Sequence, residues 1–319
     1  MNYIVLLVGF VLLIKGADVF VDGASSLAKK MGIPPVIVGL TIVSIGTSAP
    51  ELAVSIISAL KGSNNIAIGN VVGSNLFNTL MVLGITTIVL PIMIHKEKVK
   101  SDFIVNTFVT ILLFIFTFDG IFRRSANTIS RIDGAILLAL CIVYMVLLVV
   151  KAKKTNMPES TEEEKNVNVF VKLLLIVIGV AGIVIGGQLV VNSASNIATS
   201  LGMSEKLVGL TIVAMGTSLP ELVTSVVAAL KGENEIALGN VLGSNIFNIL
   251  LILGTSSLIS PITIESGLVA DFSFLIGVTV LLYGLVFFNK VREKKLSRIE
   301  GALFVALYAG YLIYIISRN

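Results

Sequence analysis

The chain has 319 residues, of which 55% are hydrophobic and only 13% charged, and its mean hydropathy is +1.01. A typical soluble protein is about a quarter charged, so a soluble enzyme and a disordered chain are excluded and a polytopic membrane protein is indicated. The net charge of +4 does not point to nucleic acid, because the basic residues sit in short loops, where they set membrane orientation. A single cysteine, Cys141, lies in an apolar run and excludes both a disulfide framework and a cysteine metal cluster.

A bilayer core about 30 Å thick needs roughly 20 apolar residues per helix. Ten stretches qualify, at approximately residues 3–28, 35–60, 65–90, 101–119, 131–151, 168–198, 205–230, 235–260, 268–289 and 297–316. The first has no basic stretch before its apolar run and continues into Lys15, Asp18 and Asp22, so it reads as a span and not as a cleaved signal peptide. Between the fifth and sixth spans lies the polar stretch Lys151–Asn168, a solvated linker too short for a regulatory domain.

Val38–Gly84 aligns without gaps on Val208–Gly254 at a constant offset of 170. GLTIVSIGTSAPEL matches GLTIVAMGTSLPEL, and GNVVGSNLFN matches GNVLGSNIFN, with about two-thirds of the positions identical. Gly16–Gly32 pairs more weakly with Gly186–Gly202, and SRIDGAI at Ser130 echoes SRIEGAL at Ser297. Each half then holds five spans, an odd number, so the second half enters the membrane upside down. The expected fold is all-α: ten transmembrane helices as two inverted five-helix repeats, residues 1–151 and 168–319, joined by a linker at 152–167 in one membrane domain. Inverted repeats of this kind build secondary transporters, with the site where the halves meet near the midplane.

Loops on the side opposite the termini hold 16 of the 23 Lys and Arg residues, and the terminal side holds six. The positive-inside rule therefore predicts a multi-pass cell-membrane protein with both termini extracellular and the central linker cytoplasmic.

Glu51 and Glu221 fall in the middle of apolar spans, where a carboxylate costs at least about 2.5–3.5 kcal/mol unless it faces a cavity or a partner. Ser44, Thr47, Ser48, Glu51 and Ser55 recur at three- and four-residue spacing, which stacks them on one helix stripe. The matching stripe is Ala214, Thr217, Ser218, Glu221 and Ser225, while Asn70, Ser74, Asn78 and Asn240, Ser244, Asn248 step by four in the next spans. Pro50 and Pro220 cannot donate to the carbonyls of Gly46 and Gly216, and exposed carbonyls at membrane depth are tolerated only in a cavity or buried in protein. Two carboxylates, hydroxyls, amides and freed carbonyls make a hard-oxygen site suited to calcium or sodium.

Serines and threonines also glue membrane helices together, and asparagines do so as readily as they line sites. The duplicated glutamates beside a helix-breaking proline are the strong signal. Asp18 and Asp22 are matched by Gln188 and Asn192 and read as interfacial or paired, whereas Asp119, Asp133 and His95 read as solvated.

At these motifs the chain resembles the two alpha-repeats of the sodium/calcium exchanger family, within the cation/calcium antiporter superfamily. The resemblance implies that Glu51 and Glu221 are paired calcium ligands, assisted by the backbone oxygens of Thr47 and Thr217. It also implies sodium sites built from Ser44, Thr47, Ser48 and Ser74 on one side and Ala214, Thr217, Ser218 and Ser244 on the other. Asn78 and Asn248 are implied at the centre, where some family members carry an aspartate at one position. The expected activity is calcium-for-sodium antiport by alternating access, with calcium, sodium and the lipid bilayer as partners, no cofactor and no nucleic acid; the oligomeric state is not legible. A proton/calcium or other divalent-cation antiporter on the same fold is the alternative. An intramembrane enzyme is disfavoured because the one histidine is in a loop, and a passive channel because a buried carboxylate pair between inverted repeats suits alternating access.

Overall fold

A computed structural model describes residues 2–62, 64–123, 127–154, 167–203, 214–264, 268–288 and 293–318. The first half runs α1 (Asn2–Met31), α2 (Pro35–Val38), a π-helical segment (Gly39–Val43), α3 (Ser44–Thr47), α4 (Ala49–Leu60), α5 (Asn64–Phe77), a second π segment (Asn78–Val82), α6 (Leu83–Val89), β1 (Ile92–His95), α7 (Lys96–Arg123), β2 (Thr128–Ile129) and α8 (Arg131–Lys154). The second half runs α9 (Val169–Ser200), α10 (Ala214–Gly216), α11 (Leu219–Leu230), α12 (Asn234–Phe247), a π segment (Asn248–Leu253), α13 (Gly254–Ile259), β3 (Ile262–Thr263), α14 (Val269–Phe287), β4 (Glu293–Leu296) and α15 (Arg298–Arg318).

Among the described residues, eight helices are long and apolar enough to cross a bilayer, and the bent pair Pro35–Thr47 and Ala49–Leu60, meeting at 49°, supplies a ninth. The stretch expected as the seventh span is described from Ala214 onward, as α10 and the 12-residue α11. Most of the expected linker at 152–167, and the side chain of Asp119, lie outside the described residues. Large apolar side chains such as Leu7, Val177, Ile142 and Ile313 are exposed along the outer faces. A surface of that kind suits lipid, not water.

The all-α expectation holds for the spanning elements and fails in the loops, which carry two short antiparallel ladders. β1 pairs with β4, placing His95 opposite Glu293, and β2 pairs with β3, placing Thr128 opposite Thr263. The pairings sort the connections onto two ends of the bundle. The β1–β4 end also gathers the ion pairs Lys29–Glu233, Lys98–Glu235 and Lys151–Asp102. The β2–β3 end holds Arg318–Asp271.

His95 is partly exposed, in keeping with the expectation of a solvated residue, and also lies 3.1 Å from Glu293. Asp133 is likewise engaged. Its carboxylate accepts from the backbone and hydroxyl of Ser130, and Glu300 does the same for Ser297. The repeated SRID and SRIE motifs are thus capping boxes that start α8 and α15.

α1 and α9 pack on each other along their lengths and share one apolar cluster with Val38, Val43, Ala228 and Ile236. Gly16 permits this approach, since a Cβ there would lie 2.7 Å from the backbone nitrogen of Ile183. The remaining spans form a second, larger cluster. Within it α8 packs on α13 and α15 packs on α6, so the last span of each half leans on the third span of the other. Gly39 and Gly239 draw the second span of the first half against α12, where a Cβ on Gly39 would lie 2.6 Å from the Ile236 carbonyl.

Candidate ion-binding site

Both glutamates stand at the start of a helix that the chain has broken to make. Ser48 leaves helical geometry (φ −83°, ψ 10°) and Ser218 does likewise (φ −92°, ψ 6°), and α4 and α11 begin at the next residue. Pro50 and Pro220 sit in the first turn, where a missing N–H costs nothing. Proline therefore opens a second helix here and does not merely kink one. Glu51 and Glu221 lie in that first turn, so the positive end of each helix dipole offsets part of the cost of a buried carboxylate.

Both glutamates are fully buried, at 0% exposure. Their first carboxylate oxygens are satisfied across the two halves. Ser48 Oγ donates to Glu221 Oε1 at 2.7 Å, and Ser218 Oγ donates to Glu51 Oε1 at 3.0 Å. Ser244 adds a longer contact to Glu221 Oε1 at 3.5 Å. The second oxygens, Glu51 Oε2 and Glu221 Oε2, have no protein partner although they are buried. Ser74 Oγ, both amide atoms of Asn78 and Asn248 Oδ1 are in the same position. Buried polar groups without partners are rare, and this set is carboxylate, amide and hydroxyl, the donors that a hard cation takes. Asn78 and Asn248 each open a π segment, a backbone form that recurs at functional sites.

Around this centre two asparagines stitch the breaks. Asn70 Nδ2 donates to the Glu51 carbonyl (3.2 Å) and to Ser55 Oγ (2.9 Å). Asn240 Nδ2 makes the same pair of bonds to the Glu221 carbonyl and Ser225 Oγ. Each also reaches the opposite half: Thr47 Oγ1 donates to Asn240 Oδ1 at 3.0 Å, and Thr217 Oγ1 to Asn70 Oδ1 at 3.5 Å. The threonine side chains thereby tie the breaks to the opposite half. Ser44 is buried, with its hydroxyl donating to the Thr41 carbonyl. Ala214 opens α10, and its side chain lies outside the described residues.

The two halves are not equivalent. Thr47 and Asn240 are fully buried, whereas Thr217 and Asn70 are only partly so. Gly239 and Gly243 are packed against the second span, while Gly69, the counterpart of Gly239, is exposed, with no atom of the described residues within 4 Å of a Cβ position. Among the described residues, the packing around the site is closer toward the β1–β4 end than toward the β2–β3 end.

Sequence reasoning passed over two buried carboxylates away from the centre. Asp102 accepts from Tyr144 and Lys151, and Asp271 accepts from Tyr311 and Arg318. The two triads occupy opposite ends of the bundle. The signal was present: Tyr144 and Lys151 keep the same spacing as Tyr311 and Arg318 after the SRID and SRIE motifs.

A family model described as sodium/calcium exchanger protein matches residues 1–150 and 171–317. The chain is 34% identical over 352 residues to the sodium/calcium exchanger MaX1 of Methanosarcina acetivorans, covering 98% of this chain and 97% of that one. It is 34% identical to the inner membrane protein YrbG of Escherichia coli over 285 residues, 86% of each chain. The solved structure of the sodium/calcium exchanger from Methanococcus jannaschii superposes with a TM-score of 0.83 at 33% identity, covering 98% of this chain and 97% of that chain.

Proposed function

The chain belongs to the sodium/calcium exchanger family, and we propose that it exchanges calcium for sodium across the membrane at the site between Glu51 and Glu221. The observation that carries this reading is the pair of buried Oε2 atoms, left without protein partners as are the side-chain oxygens of Asn78 and Asn248. A calcium ion shared by Glu51 and Glu221, with the backbone oxygens of Thr47 and Thr217, would neutralise a charge of −2. Sodium ions would take the same oxygens together with Ser44, Ser48 and Ser74 on one side and Ala214, Ser218 and Ser244 on the other.

Coupling follows from competition for one ligand set. The site with both carboxylates charged and empty would face a low-dielectric barrier on crossing, so the switch proceeds only when cations fill it. No chemical energy source is required.

Ten spans in two inverted five-helix repeats, 1–151 and 168–319, are supported by the sorting of the loops onto two ends. With both termini extracellular, the β2–β3 end is external and the β1–β4 end cytoplasmic. The sealed Thr47–Asn240 contact and the looser Thr217–Asn70 contact then correspond to a state approached from outside. The testing experiment is calcium uptake into proteoliposomes driven by an imposed sodium gradient, with a proton gradient as the control arm. Uptake that follows sodium supports the reading; uptake that follows only the proton gradient, or that needs no counter-gradient, overturns it.

A further inference from the structure

Four buried asparagines cross where the third span of each half meets the other: Asn75, Asn78, Asn245 and Asn248. Their bonds are not symmetric. Asn248 Nδ2 donates to Asn75 Oδ1 at 2.9 Å, and Asn75 Nδ2 donates to the Asn245 main-chain carbonyl at 3.1 Å. A carboxamide has one donating end and one accepting end. A main-chain carbonyl can only accept, so it fixes which way Asn75 faces; Asn75 then presents an acceptor, and that fixes Asn248. The Asn248 oxygen is turned away from Asn75 and is buried without a partner, one helical turn beyond Ser244, whose hydroxyl reaches Glu221.

The other half lacks this chain of bonds. Asn245 Nδ2 donates to Thr79 Oγ1 at 2.8 Å, and Asn78 has neither end bonded. The position equivalent to Thr79 in the second half is Ile249, which offers Asn75 no hydroxyl. The two central asparagines are therefore unequal: Asn248 is oriented and Asn78 is not.

We propose that Asn75 is a positioning residue that holds Asn248 with its oxygen, and not its amide nitrogen, toward the bound cation. This rests on the exchanger reading of the site. A reversed Asn248 amide would point N–H donors at a cation, so the orientation decides whether the central group binds or repels. An aspartate at 248 would present an oxygen in either orientation and would not need Asn75.

The test is a binding cycle on the purified full-length protein. Calcium affinity is measured by titration calorimetry in sodium-free buffer at alkaline pH, and thermal unfolding is measured without calcium. Asn75→Leu, close in volume and unable to accept a hydrogen bond, is expected to weaken calcium binding roughly ten-fold, the factor that follows from losing one buried hydrogen bond. In an Asn248→Asp background the same substitution is expected to cause no loss of affinity, because a carboxylate needs no orienting partner and would face the Asn75 oxygen acceptor to acceptor. Asn245→Leu, equally buried but not bonded to a central asparagine side chain, should lower thermal stability and leave affinity near that of the parent. If Asn75→Leu does not fold, Asn75→Ser keeps a polar group on α5 that is too short to reach Asn248, and the same cycle applies. Equal losses in both backgrounds, no loss in either, or an equal loss from Asn245→Leu would each overturn the positioning role. Failure of the parent protein to bind calcium at all would instead overturn the exchanger reading and this inference with it.

Discussion

Ser48 of the first half donates a 2.7 Å hydrogen bond to Glu221 of the second, and the two residues are 173 positions apart in the chain. The matching bond runs from Ser218 to Glu51. Each glutamate is thus held by the helix break of the other half, which ties the two carboxylates to the same relative motion. One oxygen of each is occupied by this brace, and the other is buried without a protein partner.

Removing one charge should end transport without unfolding the protein. Glu51→Gln and Glu221→Gln keep the shape and the bond from the facing serine, but leave only one charge to meet a divalent ion. Sodium-driven calcium flux in vesicles is expected to fall by about two orders of magnitude or more, the scale of losing a charged ligand in a dehydrated site. Elution position and thermal unfolding in detergent should change little. Normal flux in either variant would place the calcium site elsewhere.

The serine braces should act less strongly and through affinity. Ser48→Ala removes a bond to Glu221 that carries a charged acceptor, a loss of about 1.5–3 kcal/mol at most, partly recovered if Ser244 shortens its 3.5 Å contact. The expected result is an increase in the calcium KM of roughly ten-fold. Ser218→Ala should resemble it, and the double variant should lose more than the sum if the halves move as one. A transport assay over a calcium range checks this, and unchanged KM values for both single variants would mean the braces are incidental.

Much of this was readable in advance because the chain states it twice. Glu51 and Glu221 stand out in the duplicated motif, since identical local sequence in two apolar settings needs little structure to interpret, whereas a central place for Asn78 and Asn248 is implied only by the family resemblance. The stripe argument misplaced one partner. The three- and four-residue spacing places Ser48 on the same stripe as Glu51, whereas the break at Ser48 turns its hydroxyl toward Glu221. The π segments at Asn78 and Asn248 have no compositional mark, because one inserted residue per turn is a matter of packing and not of residue type. Asn75 and Asn245 occupy equivalent positions of the repeated motif, and the neighbouring Thr79 and Ile249 separate them. The strands β1 to β4 are two to four residues long, too short for an alternating pattern to emerge from a loop.

The buried carboxylates at 102 and 271 give a stability prediction. Asp102 is 1% exposed and Asp271 2% exposed, and each is paired with a cation at the end of a neighbouring span. Lys151→Ala would leave Asp102 with Tyr144 but no opposite charge. Breaking a buried pair is costly because the remaining ion stays desolvated; Lys151 is itself partly exposed, so a loss of roughly 2–4 kcal/mol is expected. Asp102→Asn in the same chain should restore most of it, because no unpaired charge is then left. Thermal unfolding of the single and double variants measures this, and the Arg318→Ala and Asp271→Asn set should follow the same order. If the double variants are no more stable than the single ones, the pairs are not what fixes these spans.

The last prediction concerns the seal at the β1–β4 end. Lys231, in the turn between α11 and α12, bridges Asp18 at 2.7 Å and Asp22 at 2.6 Å on α1, and its ammonium also donates to the Asp18 carbonyl. Beside it Glu233 accepts from Ser25 and pairs with Lys29. Burial works against the charge on Lys231, but the hydrogen bonds and charges of Asp18 and Asp22 outweigh it and hold the lysine above its usual range. A raised lysine contributes stability that is fully present at neutral pH and lost only as pH climbs through the raised value, so the bridge is intact under ordinary conditions. The opposite half has Lys61 in the place of Lys231, but Gln188 and Asn192 stand where the aspartates would be, and those two amides bond to each other. Among the described residues the ionic tie is thus built at one end of the transporter and not at the other, and it favours the state in which the β1–β4 end is closed. Lys231→Met should loosen that end alone. In a Cys141→Ala background carrying Thr47→Cys, a membrane-impermeant thiol reagent applied from the β1–β4 side, the inner face in the proposed orientation, should label the cysteine several-fold faster once Lys231 is replaced, the scale of losing a partly exposed ion-pair network. Labelling of a Thr217→Cys reporter from the other face should fall in step, because opening one end closes the other. An unchanged rate at Thr47→Cys would show that the bridge is a surface contact with no hold on the gate, and a rise at both reporters would show general loosening of the fold.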